Sequence, residues 1–132
     1  MARKTEYTGK YKISKFDYGF ARWYSLKYND WLEEYNSLKD SVRSMSYGEV
    51  HGSKVGNPTE ELATKRAELR NKMLKVERAA FDAGGDLAEY ILMAVINEDV
   101  TFEQLERKGM PCSRAWFYEK RRKYYYLLAK EI

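Results

Sequence analysis

Apolar side chains recur at three- and four-residue steps along most of the chain, which is the spacing of one helix face. The first such run extends from about residue 16 to residue 47 and predicts one long helix with a single apolar stripe. Because base-stacking aromatics sit on exposed surfaces, a continuous stripe favours a core or dimer face over nucleic-acid stacking. The stripe consists of Phe16, Phe20, Trp23, Tyr28, Trp31, Tyr35, Leu38, Val42 and Met45.

A second helix is predicted to begin at the sequence Asn57-Pro58-Thr59-Glu60. It offers an N-cap, a proline at the first helical position and a glutamate three residues after the cap. The pair Gly84-Gly85 should end or interrupt this helix. Its stripe suits packing against another long helix and consists of Leu62, Leu69, Met73, Val76 and Ala80.

The third predicted helix is capped by Asp86, with Glu89 completing the capping box. Its sequence over residues 87–98 is apolar almost all round, so we expect it to be buried. Residues 46–57, between the first two helices, contain three glycines and no periodicity, which predicts a loop. His51 lies in that loop without a second ligand nearby, and a metal or catalytic role is not indicated.

The last third of the chain predicts a helix-turn-helix over residues 101–132. Thr101 and Gln104 form a capping box that opens a short helix ending at Gly109. A tight connection follows, and Ser113 then caps a final helix running to about Lys130. A short helix, a turn with glycine and a second helix are the parts of a major-groove reader. The turn is about two residues longer than the commonest version.

Side chains of this segment divide into inward and outward sets. Packing between the two helices is predicted for Leu105, Gly109 (which permits a left-handed turn), Phe117, Tyr124 and either Leu127 or Leu128. Arg114 in the first turn is the residue best placed for guanine edges. The predicted DNA-binding residues are Arg114, Ala115, Tyr118, Lys120, Arg121, Arg122 and Lys123, with the four consecutive cations suited to phosphates.

The distribution of charge supports this assignment better than its net value of +4. Residues 111–132 carry six Lys/Arg against two Asp/Glu, whereas residues 58–110 carry eight against eleven. A dense basic segment attracts phosphate through counterion release, although cations near a helix C-terminus also stabilise its dipole without DNA. Residues 1–15 are polar and basic and predict a flexible arm, which leaves residues 16–100 as a helical core or oligomerisation region.

Composition limits the remaining classes of function. The chain has 132 residues, 44% of them hydrophobic, and two prolines, which predicts one all-α domain with a real core. No phosphate-binding glycine loop or metal-ligand cluster is present in the sequence, so we expect no enzyme and no cofactor. Cys112 is the single cysteine and is interpreted as a small buried residue of the turn. Without a long apolar run, we expect a cytoplasmic protein that makes no membrane contact.

The residues of the last third also carry a resemblance. The stretch Gly109-Met-Pro-Cys-Ser-Arg114, followed by Phe117-Tyr118, Arg121-Arg122 and Leu127-Leu128, resembles the C-terminal region of small phage proteins from Gram-positive bacteria. With the upstream residues 57–60, the layout is similar to RinA/ArpU-type phage transcriptional regulators. That resemblance implies a helix-turn-helix like that of sigma-factor region 4, in a regulator that binds a promoter or contacts RNA polymerase inside a bacterial host cell.

Three other interpretations remain open at this point. A small-terminase-like packaging protein would combine a helix-turn-helix with oligomerising helices. A phage inhibitor of a host defence complex would bind a host protein tightly and duplex DNA poorly. A structural interaction module would use the aromatic helix as its contact surface. A homodimer is expected because two long apolar stripes invite pairing, although an intramolecular bundle would use them equally well.

Overall fold

The computed structural model describes the backbone of residues 9–48 and 58–132, and the side chains of residues 10–38 and 59–132. Within these ranges every regular element is a helix, so the all-α prediction is confirmed. Short 3-10 turns cover Gly9–Tyr11 and Gly85–Leu87. The α-helices are α1 Lys15–Leu26, α2 Tyr28–Gly48, α3 Pro58–Gly84, α4 Ala88–Ile96, α5 Phe102–Arg107 and α6 Arg114–Glu131.

The described residues form two compact units, and the first joins the two ends of the chain. It contains the residues up to Tyr28 together with Lys75–Ile132. Here α6 packs on both α1 and α4, and α1 also packs on α4. Boundaries predicted at residues 15 and 100 do not match this unit, because α1 lies directly against the C-terminal helix. Its fully buried side chains include Val76, Ile91, Val95, Leu105, Phe117, Tyr124 and Leu128.

The second unit, Asn29–Leu74, is a helical hairpin made by α2 and the first part of α3. Between Trp31 and the pair Glu34 and Tyr35, the partner on α3 moves from residue 72 back to residues 65 and 66, so the helices run antiparallel. Trp31 and Leu69 are buried here, as the two apolar stripes predict. Contacts between the two helices join the Trp31 ring centroid to the Lys72 ammonium at 5.3 Å, Glu34 to Lys65 at 3.5 Å, and Tyr35 to Arg66 at 3.0 Å.

The single long helix predicted from residue 16 to residue 47 is wrong, because it is interrupted at Lys27. The amide of Lys27 points at two carbonyls of the preceding turn, those of Trp23 and Tyr24, at 3.2 Å each. In the same turn, the Ser25 hydroxyl donates to the Ala21 carbonyl at 2.8 Å, a back-bond that bends helices. No glycine or proline marks the break, so periodicity alone does not reveal it.

The break changes which face of α1 is buried. The predicted stripe residues Phe16, Phe20 and Trp23 are 80%, 50% and 54% exposed. Instead α1 turns Ala21 and Tyr24 inward, on the side that meets α6. Further along the stripe, Tyr28 and Trp31 are buried, whereas the side chains of Val42 and Met45 lie outside the described residues.

The flexible arm predicted for residues 1–15 is also corrected over its described part. Ile13 is only 5% exposed, and the turn Gly9–Tyr11 lies against α6. The Ser14 hydroxyl accepts from the Asp17 amide at 3.1 Å and thereby caps α1. Burial of one apolar side chain and a helix cap hold this segment in place, although its composition is polar and basic.

Two predictions about α3 and α4 have different outcomes. α3 begins at Pro58 and ends at Gly84 as predicted, whereas the proposed cap Asn57 and the loop residue His51 lie outside the described residues. Asp86 does not cap α4, because a 3-10 turn intervenes and α4 starts at Ala88 without a side-chain cap.

The expected burial of α4 on all sides is wrong as well. Ile91 and Val95 are buried, but the other apolar residues of this helix are half-exposed. One face therefore contacts α1 and α6 while the rest meets solvent. Gly84 precedes this helix closely enough that a Cβ there would lie 2.9 Å from Ile91 Cγ1.

Candidate nucleic-acid interface

The interface begins with α5, a six-residue helix held by its cap and its apolar face. The Thr101 hydroxyl accepts from the Gln104 amide at 3.2 Å, and the Gln104 side chain accepts from the Thr101 amide at 2.9 Å. This reciprocal capping box is the one predicted from the sequence. Phe102 and Leu105 are both buried and fix the helix on the first unit.

The connection between α5 and α6 is ordered by a Schellman motif. The amide of Met110 donates to the Leu105 carbonyl at 3.1 Å, and the amide of Gly109 donates to the Glu106 carbonyl at 3.0 Å. Gly109 has a φ of +107°, in the left-handed region predicted for it from the sequence. Met110 is buried, as is Leu105, which gives the motif its usual apolar contact. Six residues, 108–113, separate the two helices.

α6 starts at a defined point because Ser113 caps it. The Ser113 hydroxyl accepts from the Trp116 amide at 3.1 Å, as predicted. Phe117 is buried against Phe102 of α5, with ring centroids 5.6 Å apart. Tyr124 and Leu128 continue the inward face, and neither side chain is accessible to solvent. The first turns of α6 are therefore held by α5, and its second half is held by the core through Tyr124 and Leu128.

Arg114 and Ala115, the first two residues of α6, are exposed. Arg114 does not extend freely, because its guanidinium contacts the Glu103 carboxylate at 2.6 Å. The same guanidinium lies 4.6 Å from the centroid of the Phe102 ring. Its hydrogen bond lowers the pKa of Glu103 and raises the already high pKa of Arg114, so the pair stays charged at neutral pH. This is a second-helix arginine positioned by the first helix.

Arg121 is placed differently from the outward position that the sequence predicted. It is half-buried and lines a pocket of about 200 Å³ together with Tyr18 of α1, Val95 of α4 and Glu98, which follows α4. Its guanidinium lies 4.9 Å from the centroid of Tyr118, whose ring in turn packs edge-on against Phe117 at 5.0 Å. Both Arg121 and Tyr118 are thus partly used in packing.

The remaining predicted cations, Lys120, Arg122 and Lys123, are half-buried. The ammonium of Lys120 lies 5.6 Å from the Trp116 ring centroid, and that of Lys123 lies 6.0 Å from the Tyr11 ring centroid. Within the described part of the chain neither lysine has a carboxylate partner. Their alkyl chains rest on aromatic surface while their charges stay available.

A further group of cations, which the sequence did not identify as DNA-binding residues, lies next to these. Lys10, Lys12 and Lys15 are exposed on the segment that precedes and opens α1, and Lys10 contacts the Tyr11 ring from 5.5 Å. The local signal was present, because Ile13 is the single aliphatic side chain among polar neighbours and Ser14 stands three residues before Asp17. The contact with α6 is not local and could not be read from that pattern.

Other kinds of site are not indicated by the described residues. Within them, no group of three or more His, Cys, Asp or Glu could hold a metal ion. Cys112 is half-buried in the connection before α6, and burial, followed by the nearby charge of Glu106, raises the pKa of its thiol. Of the helices described, none has both the length and the apolar character needed to cross a membrane.

Comparisons with protein-family models, with curated proteins and with solved structures found no match.

Proposed function

We propose that the protein binds double-stranded DNA by placing the first turns of α6 in the major groove. The observation that carries this proposal is the exposed start of α6, at Arg114 and Ala115, on a helix that packs in a core further along through Tyr124, Tyr125 and Leu128. Readers of the major groove place N-terminal residues of a fixed helix against base edges. Lys120, Arg122 and Lys123 follow on the same helix and would contact flanking phosphates.

The ion pair between Arg114 and Glu103 supports a reading role for this arginine. An arginine with a restrained side chain loses less conformational freedom when it forms a bidentate contact with guanine. The Glu103 carboxylate also has to release, or share, the guanidinium on binding. Arg121 has a smaller part in this proposal than the sequence suggested, because it lines the pocket beside α1 and α4.

As to biological role, the resemblance to RinA/ArpU-type regulators supports a transcriptional regulator of phage type. We propose that it acts in the cytoplasm of a bacterial host, as a homodimer, on a promoter or together with RNA polymerase. Dimeric helix-turn-helix proteins bind paired half-sites, so a dimer would bind a site with two-fold symmetry.

The test begins with selection of preferred duplexes from a random-sequence pool, followed by anisotropy titrations of a selected and an unselected duplex. Arg114→Ala should reduce the preference for the selected duplex by about 10- to 100-fold, the value of one good bidentate contact. Lys123→Ala should weaken both duplexes alike and lower the slope of log affinity against log salt by about 0.9.

Two controls separate recognition from folding and from charge. Arg78→Ala removes an exposed arginine of α3 and should leave the preference unchanged. Glu103→Gln removes the partner of Arg114 but keeps the arginine, and should therefore retain specific binding. Absence of DNA binding at low salt, or equal effects of Arg114→Ala and Arg78→Ala, would disprove the proposal.

A second candidate function is binding to another protein, and the exposed aromatic face of α1 favours it. Phe20 and Trp23 stack with centroids 6.0 Å apart and planes 11° apart, and Phe16 is the most exposed of the three. Exposed apolar patches with tryptophan mark protein contacts. Sedimentation velocity should show a dimer that Phe20→Ala/Trp23→Ala converts to a monomer. A wild-type monomer would assign the face to a host protein, and a large ring would favour the packaging interpretation.

A further inference from the structure

The turn Gly9–Tyr11 brings the N-terminal cations onto the surface of α6. The Tyr11 ring lies against Tyr126, with centroids 5.7 Å apart. The ammonium groups of Lys10 and Lys123 lie 5.5 Å and 6.0 Å from the centroid of this same ring. Two lysines from opposite ends of the sequence therefore share one aromatic support, and the cations of both segments belong to one surface.

The backbone that carries these lysines is fixed. Ile13 is inserted in the core of the first unit, and Ser14 caps α1 in the next residue. Lys12 and Lys15 stand on either side of this anchored pair, and both are exposed. A strip of cations held in place costs less conformational entropy on binding than a free arm of the same composition.

In the described part of the chain, no carboxylate contact compensates the charge of this strip. Among the described residues, none of Lys10, Lys12, Lys15 and Lys123 is in an ion pair. Cations clustered in this way create a positive potential that attracts a polyanion, and their counterions are released when phosphate replaces them.

We propose that Lys10, Lys12 and Lys15 form a second phosphate-binding strip, which extends the contact of α6 along the backbone of the same DNA duplex. This proposal rests on the proposed function, and it adds a contact that is independent of DNA sequence. We favour DNA over an acidic protein as the ligand because the strip is continuous with Lys123 on α6. The groups it offers are lysine ammonium ions, which bind phosphate as point charges. Its aliphatic residue, Ile13, is buried and is not available to a partner, and its Tyr11 ring is packed against Tyr126.

The test uses the full chain with the triple substitution Lys10→Gln/Lys12→Gln/Lys15→Gln and a duplex of random sequence. Three lost phosphate contacts should lower the slope of log affinity against log salt by about 2.7. Between about 50 mM and about 200 mM salt, wild-type affinity should then fall about 40-fold more than that of the variant. The preference for a selected duplex should not change, because the strip reads no bases.

Matched variants separate this result from general effects of charge and folding. Lys65→Gln/Lys72→Gln/Arg78→Gln removes three exposed cations of α3 and should reduce the slope much less. The conservative set Lys10→Arg/Lys12→Arg/Lys15→Arg should restore the wild-type slope, since phosphate contact needs the charge. Circular dichroism melting should show the same fold in each variant.

The outcomes that overturn the strip differ from those that overturn DNA binding. Suppose the lysine-to-glutamine strip variant keeps the wild-type slope of log affinity against log salt, while Lys123→Ala lowers it. The three lysines then do not bind phosphate, but α6 still binds DNA. If the wild type binds no duplex at low salt, both proposals fail. If polyglutamate binds as tightly as the duplex and needs the same three lysines, the strip belongs to an acidic protein and the proposal is overturned.

Discussion

The two halves of α6 differ in what surrounds them, although both are rich in cations and aromatic rings. In residues 114–120 a single side chain, Phe117, is buried, and the first two residues are exposed. In residues 121–131 three are buried, Tyr124, Tyr125 and Leu128. The first turn of α6 can therefore be exposed to a ligand because the second half of the same helix is packed in a core.

The tyrosine triplet in the second half shows how this fastening is made. Adjacent residues of a helix point in different directions, so each ring meets a different neighbour. The Tyr124 hydroxyl lies 2.7 Å from Ser25 of α1, and Tyr125 packs edge-on against Tyr18 at 5.0 Å. Tyr126 meets Tyr11 of the N-terminal turn. Packing explains all three rings, and the second half of α6 ties α1 and the N-terminal turn together.

The largest effect is expected from Tyr124→Ala. Because the ring is fully buried, its removal should lower the free energy of unfolding by about 3–5 kcal/mol. Phe16→Ala removes a ring that is 80% exposed and should change stability by less than about 0.5 kcal/mol. Urea unfolding followed by circular dichroism measures both. Equal losses in the two variants would contradict the burial of Tyr124 on α6 and the exposure of Phe16 on α1.

The hydroxyl of Tyr124 can be separated from its ring in the same assay. The Ser25 hydroxyl already donates to the Ala21 carbonyl, so Tyr124 donates to Ser25 in the buried pair. Tyr124→Phe should therefore cost about 1 kcal/mol, clearly less than the alanine variant. A cost as large as that of Tyr124→Ala would mean that the hydrogen bond, and not packing, dominates here.

Local signals in the sequence predict the edges of α5 and α6 well, whereas contacts between distant segments could not be predicted. The box of Thr101 and Gln104 and the cap at Ser113 depend on residues three positions apart, and the structure contains both. The exposed aromatics of α1 depend instead on which face meets α6, a choice made by Tyr18 and Tyr24 through tertiary packing.

At the candidate site too, local features could be predicted and contacts between distant segments could not. The sequence predicts an arginine in the first turn of α6. It does not predict the ion pair of this arginine with Glu103, because that contact joins two helices across the turn. The inward stripe that begins at Phe117 and Tyr124 leaves Arg121 facing outward, whereas in the structure Arg121 lines the pocket beside α1 and α4. The strip at residues 10–15 was interpreted as flexible because composition does not show that Ile13 finds a buried position.

A middle-sized effect is expected at the turn that presents the first half of α6. Gly109→Ala forces a side chain into a φ of +107° and should destabilise the protein by about 1–3 kcal/mol. Gly19→Ala is the opposite case, because this glycine lies within α1 with no heavy atom within 4 Å of a Cβ placed there. It should stabilise by about 0.5–1 kcal/mol. Urea unfolding tests both signs, and a stabilising Gly109→Ala would contradict the Schellman turn.

The smallest effect is expected from the titration of Glu103, which tests the restraint on the first half of α6. The hydrogen bond from Arg114 lowers the pKa of Glu103 in the folded protein. A carboxyl whose folded pKa is depressed adds stability above its unfolded pKa, and that stability is lost as the pH falls through the folded pKa. Arg114→Ala should therefore raise the pKa of Glu103, as measured by carbon NMR of the side-chain carboxyl. The difference in stability between wild type and variant should also shrink at acidic pH.

Since both side chains are about half-exposed, solvent screens the pair and the change in stability should be slight. If the pKa of Glu103 is the same in both proteins, Arg114 is not held by α5, and the first half of α6 presents a free arginine instead of a positioned one.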